Sequence, residues 1–245
     1  MKKIFFYILA GSLCFSACKK DDDTSTYQEP EDISVQNNYD DQSIQKFLTE
    51  NYLDTQGNIK AFSATDTSDD NEIKLSDLNP ITLPSGVVYI MRSTAQPSSG
   101  TTIGASDIIR IMMRAKTYLG ANTDGNVAFI SATDMTNYNS MDVSGSPVVD
   151  PKFYYIADND PLIVNATTDA AKVKSYYQME GFSEALQKFK AFNQTDGSPY
   201  NLQGVIIVPS RAAFARDAHY NYSGYSFRNR SFVFNFQVYK TTARP

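Results

Sequence analysis

Residues 180–192 read Glu-Gly-Phe-Ser-Glu-Ala-Leu-Gln-Lys-Phe-Lys-Ala-Phe, and this stretch decides how the chain around it folds. From Ser183 to about Phe192 the apolar residues recur at helical spacing, and Glu184 lies in the first turn, where the helix dipole favours a negative charge. The buried stripe of the predicted helix consists of Phe182, Ala185, Leu186, Phe189 and Phe192. A single amphipathic helix must bury this stripe against another element, and a sheet is the natural partner.

Strand patterns lie on both sides of this helix. Residues 87–91 are apolar and follow a turn signal, and residues 108–119 alternate between apolar and mostly charged positions. Further along, residues 204–208 are wholly apolar, and phenylalanines occupy every second position at the start of residues 231–239. Several separate strands around one helix predict an α+β domain.

The N-terminus has the anatomy of an export signal. Two lysines precede the apolar run 4–15, which is too short to cross a bilayer as a helix. Residues 15–18 read Phe-Ser-Ala-Cys, and small residues before a cysteine resemble the lipobox of bacterial lipoproteins. We therefore predict that residues 1–17 are a signal peptide and that Cys18 carries a lipid, with an ordinary secretory signal cut near Ala17 as the alternative.

Charged residues follow this cysteine. Residues 19–23, Lys-Lys-Asp-Asp-Asp, resemble the stretch that directs Bacteroidetes lipoproteins to the cell surface, and a periplasm-facing outer-membrane location stays open. The polar composition of residues 18–39 predicts a flexible tether. Residues 40–80 are predicted to form an N-terminal helix and a loop, and residues 81–245 the main domain.

Composition excludes several function classes. The 245 residues carry a net charge of −5, which argues against nucleic acid as a partner. His219 is the single histidine, so a catalytic triad has one candidate and a zinc site lacks ligands. Of the two cysteines, Cys14 lies inside the predicted signal, so the mature chain cannot form an internal disulfide. We expect no metal and no cofactor.

Several segments, taken in order, resemble the FKBP-type peptidyl-prolyl isomerase family. Residues 84–89, Pro-Ser-Gly-Val-Val-Tyr, resemble its lead-in strand, and residues 106–111, Ser-Asp-Ile-Ile-Arg-Ile, resemble its Gly-Asp-x-Val-x-Val strand. Residues 180–186 match the Gly-Trp-x-Glu-Ala-Leu start of its helix. Residues 208–215, Val-Pro-Ser-Arg-Ala-Ala-Phe-Ala, match Ile-Pro-Ser-x-x-Ala-Tyr-Gly, and residues 231–236 resemble the closing strand. The resemblance implies a twisted, antiparallel half-barrel sheet wrapped around one central helix.

The family's active site is an apolar cup between helix and sheet, and the resemblance implies its residues here. Phe182 would form the floor, where the family has Trp, and the backbone N–H of Met179 would receive the substrate carbonyl. Phe214 would replace the pocket Tyr, and Phe234 would form a wall. Each of these side chains also has a simpler interpretation as core packing.

Further substrate-binding residues follow from the same resemblance. Met113 falls at the position of the family's strand Tyr, with Ala115 as the alternative if the register slips. Phe129 falls at the family's Phe-Asp pair, with no Asp after it. The chain is longer than the compact family version, which predicts an insertion at about residues 126–180 with a strand at residues 153–156. An overhanging loop, residues 215–230, would contribute Tyr220, Tyr225 and Phe227.

The resemblance implies a weak isomerase that acts on proline-containing polypeptides as a folding helper of the envelope. The X-Pro bond has a barrier of about 18–20 kcal/mol from amide resonance. A pocket that binds the twisted amide more tightly than the planar one lowers this barrier without a nucleophile or a metal. The alternative is a non-catalytic binding module of the cell surface or periplasm that uses the degenerate cup and the tyrosine-rich loop.

Overall fold

The computed structural model describes residues 27–245. The predicted signal peptide, Cys18 and residues 19–23 lie outside the described residues. The first described helix is α1 (Ile33–Glu50), and it begins at Asp32, whose carboxylate accepts a hydrogen bond from the Ser34 N–H at 2.8 Å. Across residues 27–245, every helix is too short or too polar to cross a membrane.

The sheet is antiparallel throughout. In chain order, the remaining elements are β1 (Asn51–Leu53), β2 (Ile59–Ala61), β3 (Ile81–Thr82), β4 (Val88–Met91), β5 (Thr101–Thr102), β6 (Ile108–Thr123), β7 (Asn126–Asp134), β8 (Val148–Val149), α2 (Pro161–Val164), α3 (Glu180–Leu186), β9 (Lys190–Ala191), β10 (Gly204–Val208) and β11 (Arg230–Thr242). Six strands pair in the order β3-β4-β10-β11-β6-β7, and β8 pairs with β6. β1 with β2 and β5 with β9 form separate pairs. The predicted α+β class is confirmed.

One face of the sheet packs against α3 and carries the larger core. The alternation of β6 and β11 decides which side chains lie there, because successive residues of a strand point to opposite faces. Register places Phe234 opposite Ala115 at the centre of these two strands. The buried strand residues of this face include Ile109, Ile111, Met113, Ala115, Phe232, Phe234, Phe236 and Val238.

The other face packs against α1. Ile44 and Leu48 of the helix are buried in a second core with Val205, Ile207 and Val233 of the sheet. Arg114 and Lys116 of β6 share this side of the strand, where Arg114 is half-buried and Lys116 is exposed.

A buried carboxylate fixes α1 to the corner that follows β10. Asp40 is fully buried, and its Oδ2 accepts hydrogen bonds from the backbone N–H of Ser210 at 2.9 Å and from the Ser210 hydroxyl at 2.5 Å. Its Oδ1 accepts a hydrogen bond from Gln36 Nε2 at 2.9 Å. Burial raises the pKa of Asp40. Because these donors are themselves buried, the helix cannot leave the sheet without exposing or orphaning them.

The structure corrects the bounds of the N-terminal elements. The prediction of a flexible tether over residues 18–39 is wrong for residues 33–39, which belong to α1. Asp32 caps the helix, and Gln36 is fully buried, so this part of the helix has tertiary partners that the polar composition did not indicate. The helix ends at Glu50, and the next three residues form β1.

The central helix is shorter than its apolar pattern predicted. α3 ends at Leu186, and Phe192 lies outside it with its N–H bonded to the carbonyl of Val238 at 3.0 Å. Phe189 remains buried because it packs against Tyr89 and Phe236 from the turn after the helix. Helical spacing alone did not distinguish a helix from a turn that buries the same side.

The predicted insertion begins later than residue 126. Residues 126–134 form β7 and pair with β6, so the longer connection runs from Met135 onward. The strand predicted at residues 153–156 is wrong, because this segment forms a turn in which the N–H of Tyr154 bonds to the carbonyl of Pro151 at 2.9 Å.

Candidate functional site

Helix α3 and strand β11 bring together the predicted floor and wall of the cup. The ring centroids of Phe182 and Phe234 are 4.4 Å apart, with their planes inclined by 52°. Gly181 lets the start of α3 pack closely against Val87 and Ala212, since a Cβ there would lie 2.6 Å from Cγ2 of Val87 and 2.8 Å from the carbonyl oxygen of Ala212. Both phenylalanines are fully buried.

The space beside these two rings is filled by the protein's own chain. We call residues 150–156 the plug segment. Its Phe153 is fully buried, stacks on Phe234 at 5.5 Å between centroids and meets Phe182 edge to face at 5.2 Å. Tyr138 packs on the same ring at 5.0 Å. The cup is therefore a packed core in this structure.

The plug segment is also hydrogen-bonded to the start of α3. The backbone N–H of Met179, the donor expected to receive a substrate carbonyl, donates to the carbonyl of Phe153 at 2.8 Å. The next carbonyl, that of Tyr154, accepts from Ser183 Oγ at 2.5 Å and from Gln178 Nε2 at 3.1 Å. An incoming peptide would have to replace these bonds.

Residues 215–230, which we call the roof loop, cover the plug segment. The loop is closed at its base by a hydrogen bond from the N–H of Asn229 to the carbonyl of Ala215 at 2.6 Å. Tyr222 is buried, and its ring centroid lies 6.1 Å from that of Phe153. Its hydroxyl donates to the carbonyl of Tyr177 at 2.6 Å. Burial raises the pKa of Tyr222.

His219 holds the roof loop together from within. Its ring lies 5.0 Å from the ring of Phe214 and 5.2 Å from that of Phe227. Nε2 lies 2.8 Å from the backbone nitrogen of Phe227, and Nδ1 lies 2.9 Å from the carbonyl oxygen of Tyr220. Because an amide N–H only donates and a carbonyl only accepts, this geometry assigns the neutral ring with its proton on Nδ1. The histidine is a structural residue of the loop.

The described start of the chain fastens the outside of the roof loop. Glu29 accepts two hydrogen bonds from the guanidinium of Arg228, at 2.6 and 2.7 Å, and one from Asn229 Nδ2 at 2.8 Å. Hydrogen bonding from Arg228 lowers the pKa of Glu29. Arg216 donates to the carbonyls of Pro30 and Glu31. We call residues 27–32 the N-terminal clasp.

The remaining predicted site residues divide into two groups. Met113, Phe214 and Phe227 are buried in the same core as the cup, and Tyr220 and Tyr225 pack against its margin half-buried. The prediction that Phe129 binds substrate in the cup is wrong, because this residue lies on the α1 face of the sheet. There it stacks on Tyr118 at 5.0 Å and contacts Phe47 at 5.9 Å.

Two residues that define the site were missed by sequence reasoning. Phe153 belongs to an unbroken apolar and aromatic run, Phe-Tyr-Tyr-Ile at residues 153–156, and such a run was a signal for deep burial. No pattern indicated that His219 would pack against the rings of Phe214 and Phe227. In residues 27–245, no three His, Cys, Asp or Glu side chains lie together as metal ligands would.

Comparison with known proteins gives distant structural likenesses. No family model matches the chain, and no curated protein matches it. FkpA from Escherichia coli is 15% identical with a TM-score of 0.35, over 68% of this chain and 53% of that chain. A peptidyl-prolyl cis-trans isomerase from Pseudomonas syringae pv. tomato is 13% identical with a TM-score of 0.32, over 66% of this chain and 80% of that one. A multi-domain immunophilin from Arabidopsis thaliana is 7% identical with a TM-score of 0.35, over 67% of this chain and 46% of that one.

This chain spans about half the length of the FkpA chain that it matches. Likeness at this level carries no argument about activity or partners. What the site can do therefore depends on its own geometry.

Proposed function

We propose that this chain is an envelope lipoprotein, anchored through a lipid on Cys18, whose FKBP-like domain binds polypeptides without isomerising their prolyl bonds. One observation carries the proposal. Phe153 fills the space beside Phe182 and Phe234, and its carbonyl engages the N–H of Met179. A prolyl substrate needs two things from the cup: space for its ring and a backbone N–H that binds its carbonyl. Phe153 occupies both.

Opening the cup is costly. Exposing a buried phenylalanine costs about 1.5–3 kcal/mol, and losing a backbone hydrogen bond costs about 0.5–1.5 kcal/mol. Displacing Phe153 alone therefore costs about 2–4.5 kcal/mol, before Tyr222 is moved. Since every 1.4 kcal/mol is a factor of ten, the open fraction is about one in thirty at most, and the apparent affinity for a substrate falls by the same factor.

Charge and location favour a polypeptide client. Twenty-seven acidic residues against twenty-two basic ones disfavour nucleic acid. Residues 1–17 and Cys18 have the pattern of a lipoprotein signal, which supports a place in the outer membrane, facing the periplasm or the cell surface. A protein held there meets unfolded or extended chains in transit.

Exchange NMR tests the absence of catalysis. The purified full chain is mixed with a panel of X-Pro peptides that differ in the residue before proline. We expect no acceleration of cis/trans exchange, together with binding of a reduced and carboxymethylated lactalbumin as an unfolded client. Faster exchange for any peptide would contradict the non-catalytic part, and failure to bind the client would contradict the binding part.

An isomerase that opens its cup is the second candidate, and the N-terminal clasp favours it. The clasp holds the roof loop through half-exposed ion pairs of Glu29, which are weak fastenings in water. Under this candidate Glu29→Gln accelerates prolyl exchange in the same NMR assay. Glu31→Gln is the matched control, because within residues 27–245 Glu31 is hydrogen-bonded to the roof loop through its main-chain carbonyl, which the substitution keeps.

A further inference from the structure

A second surface lies at the edge of the sheet, away from the cup. Among residues 27–245, strand β3 pairs only with β4, and both of its residues, Ile81 and Thr82, are exposed. Beside it a groove of about 490 Å³ opens between residues 72–79 and residues 91–94. We call this the edge groove. Its apolar lining consists of Leu53, Ile73, Leu78, Ile81 and Met91.

The apolar side chains of the edge groove are unusually open to solvent. Ile73 is 58% exposed, Ile81 48% and Met91 37%. Single exposed apolar residues are ordinary on a protein surface, but several that line one concavity indicate a contact site. Leu53 and Leu78, which also line the groove, are partly buried and pack against the α1 core, so part of the lining is held in place by that core.

The backbone at this edge suits an extended ligand. An edge strand presents unpaired N–H and carbonyl groups, and an added strand can bond to them. Pro80 and Pro84 flank β3 and remove two donors, so main-chain pairing stays short. The side chains that enter the groove must then supply most of the binding energy.

The charge of the groove selects the ligand. Glu72 and Asp77 line it, and neither forms an ion pair within the described part of the chain. Residues 66–77 contain five acidic residues and one lysine. Arg92, the cation of the groove, already donates to the carbonyls of Leu202 at 3.1 Å and Thr55 at 2.6 Å.

We propose that the edge groove binds an extended segment of a partner polypeptide in which apolar residues alternate with Lys or Arg. The apolar side chains of the partner segment contact Ile73, Ile81 and Met91, and its basic side chains face Glu72 and Asp77. This inference rests on the proposed polypeptide-binding function and places it on a surface that the closed cup does not affect.

The test uses a fluorescein-labelled peptide, Lys-Val-Thr-Val-Lys-Val-Thr, titrated with the purified full chain and followed by anisotropy. A peptide with Glu in place of both Lys is the charge control. We expect the lysine peptide to bind at least tenfold more tightly than the glutamate peptide. Equal binding of the two, or binding of neither, would overturn the proposal.

Substitutions locate the contact. Ile81→Lys places a charge in the groove at an exposed position, so the fold should persist, and we expect at least a tenfold loss of affinity for the lysine peptide. Val143→Lys is the matched control, because Val143 is 63% exposed and lies outside the groove. Unchanged affinity in Ile81→Lys would refute the assignment. So would light scattering that shows a dimer of the wild type dissolved by Ile81→Lys, since a second copy would then occupy the groove.

Failure of this inference and failure of the proposed function are distinguishable with the unfolded client. If carboxymethylated lactalbumin binds the wild type and Ile81→Lys equally, the assignment of binding to the edge groove is wrong, and the proposed polypeptide binding takes place elsewhere on the protein. If the client binds neither protein, the proposed function itself fails.

Discussion

Replacing Phe153 with alanine tests whether the cup is a packed core. The side chain is fully buried between the rings of Phe182, Phe234 and Tyr138, at 5.2, 5.5 and 5.0 Å. These neighbours are set by α3, by the central strand β11 and by the connection after β7, so they cannot easily collapse into the space. Phe→Ala substitutions in cores cost about 3–5 kcal/mol, and a rigid surround favours the middle of that range or above. We expect a loss of about 4 kcal/mol.

The assay is equilibrium unfolding in urea, followed by far-ultraviolet circular dichroism because the chain has no tryptophan. The urea concentration at the midpoint of unfolding should fall, while the dependence of the unfolding free energy on urea concentration stays unchanged. The melting temperature should fall by about 8–16 °C for a domain of this size. Phe62→Ala is the control, since Phe62 belongs to neither core and contacts Tyr52, and about 1 kcal/mol is expected there. If the alanine variant does not fold, Phe153→Leu should still fold and lose about 1–2 kcal/mol.

A loss below about 1.5 kcal/mol in Phe153→Ala would refute the reasoning. It would mean that the ring can leave its neighbours at little cost, and that the cup is open for a large part of the time. The buried Phe153 ring would then not prevent a prolyl substrate from entering the cup.

Two other contacts give sharp expectations. Acid should free the N-terminal clasp, because the Arg228 hydrogen bonds lower the pKa of Glu29. The clasp is complete above the ordinary glutamate pKa of about 4.3 and is lost as pH falls through the lowered value. The side-chain amide signal of Asn229 in an NMR titration reports this loss, and a signal that stays constant to about pH 2 would contradict it. Asp40→Ala leaves the two buried donors of Ser210, its N–H and its hydroxyl, without their acceptor, and it removes one of the two acceptors of Gln36 Nε2. Urea unfolding should therefore show a loss of about 1–3 kcal/mol, against less than about 1 kcal/mol for the exposed Asp41→Ala.

Strand alternation made the sheet and its larger core predictable. The apolar series that begins at Ile109 in β6 and at Phe232 in β11 lies on one face, as a two-residue period requires. The same rule explains the error at Phe129. Matching by position along the chain ignored which face of β7 this residue occupies, and its neighbours Tyr118 and Phe47 belong to the α1 side.

The closed state of the cup was not predictable, because it depends on contacts between segments distant along the chain. Phe153 reaches Phe234 across 81 positions, and no local period describes that pairing. The seven extra helical residues at the start of α1 were missed for a similar reason. Their stability comes from Asp32 as a cap and from the burial of Gln36 against the sheet, where its Nε2 donates to the carbonyl of Gly120 at 2.9 Å.

His219 gives this protein a built-in reporter. The chain has one histidine, so its imidazole contributes a single set of ring signals to an NMR spectrum without any labelling of specific sites. The adjacent rings of Phe214 and Phe227 should displace those signals by ring current while the roof loop is closed. Any partner, variant or solvent that lifts the loop would move them toward the values of a free imidazole. The ring signals of His219 therefore report whether the roof loop is closed or open.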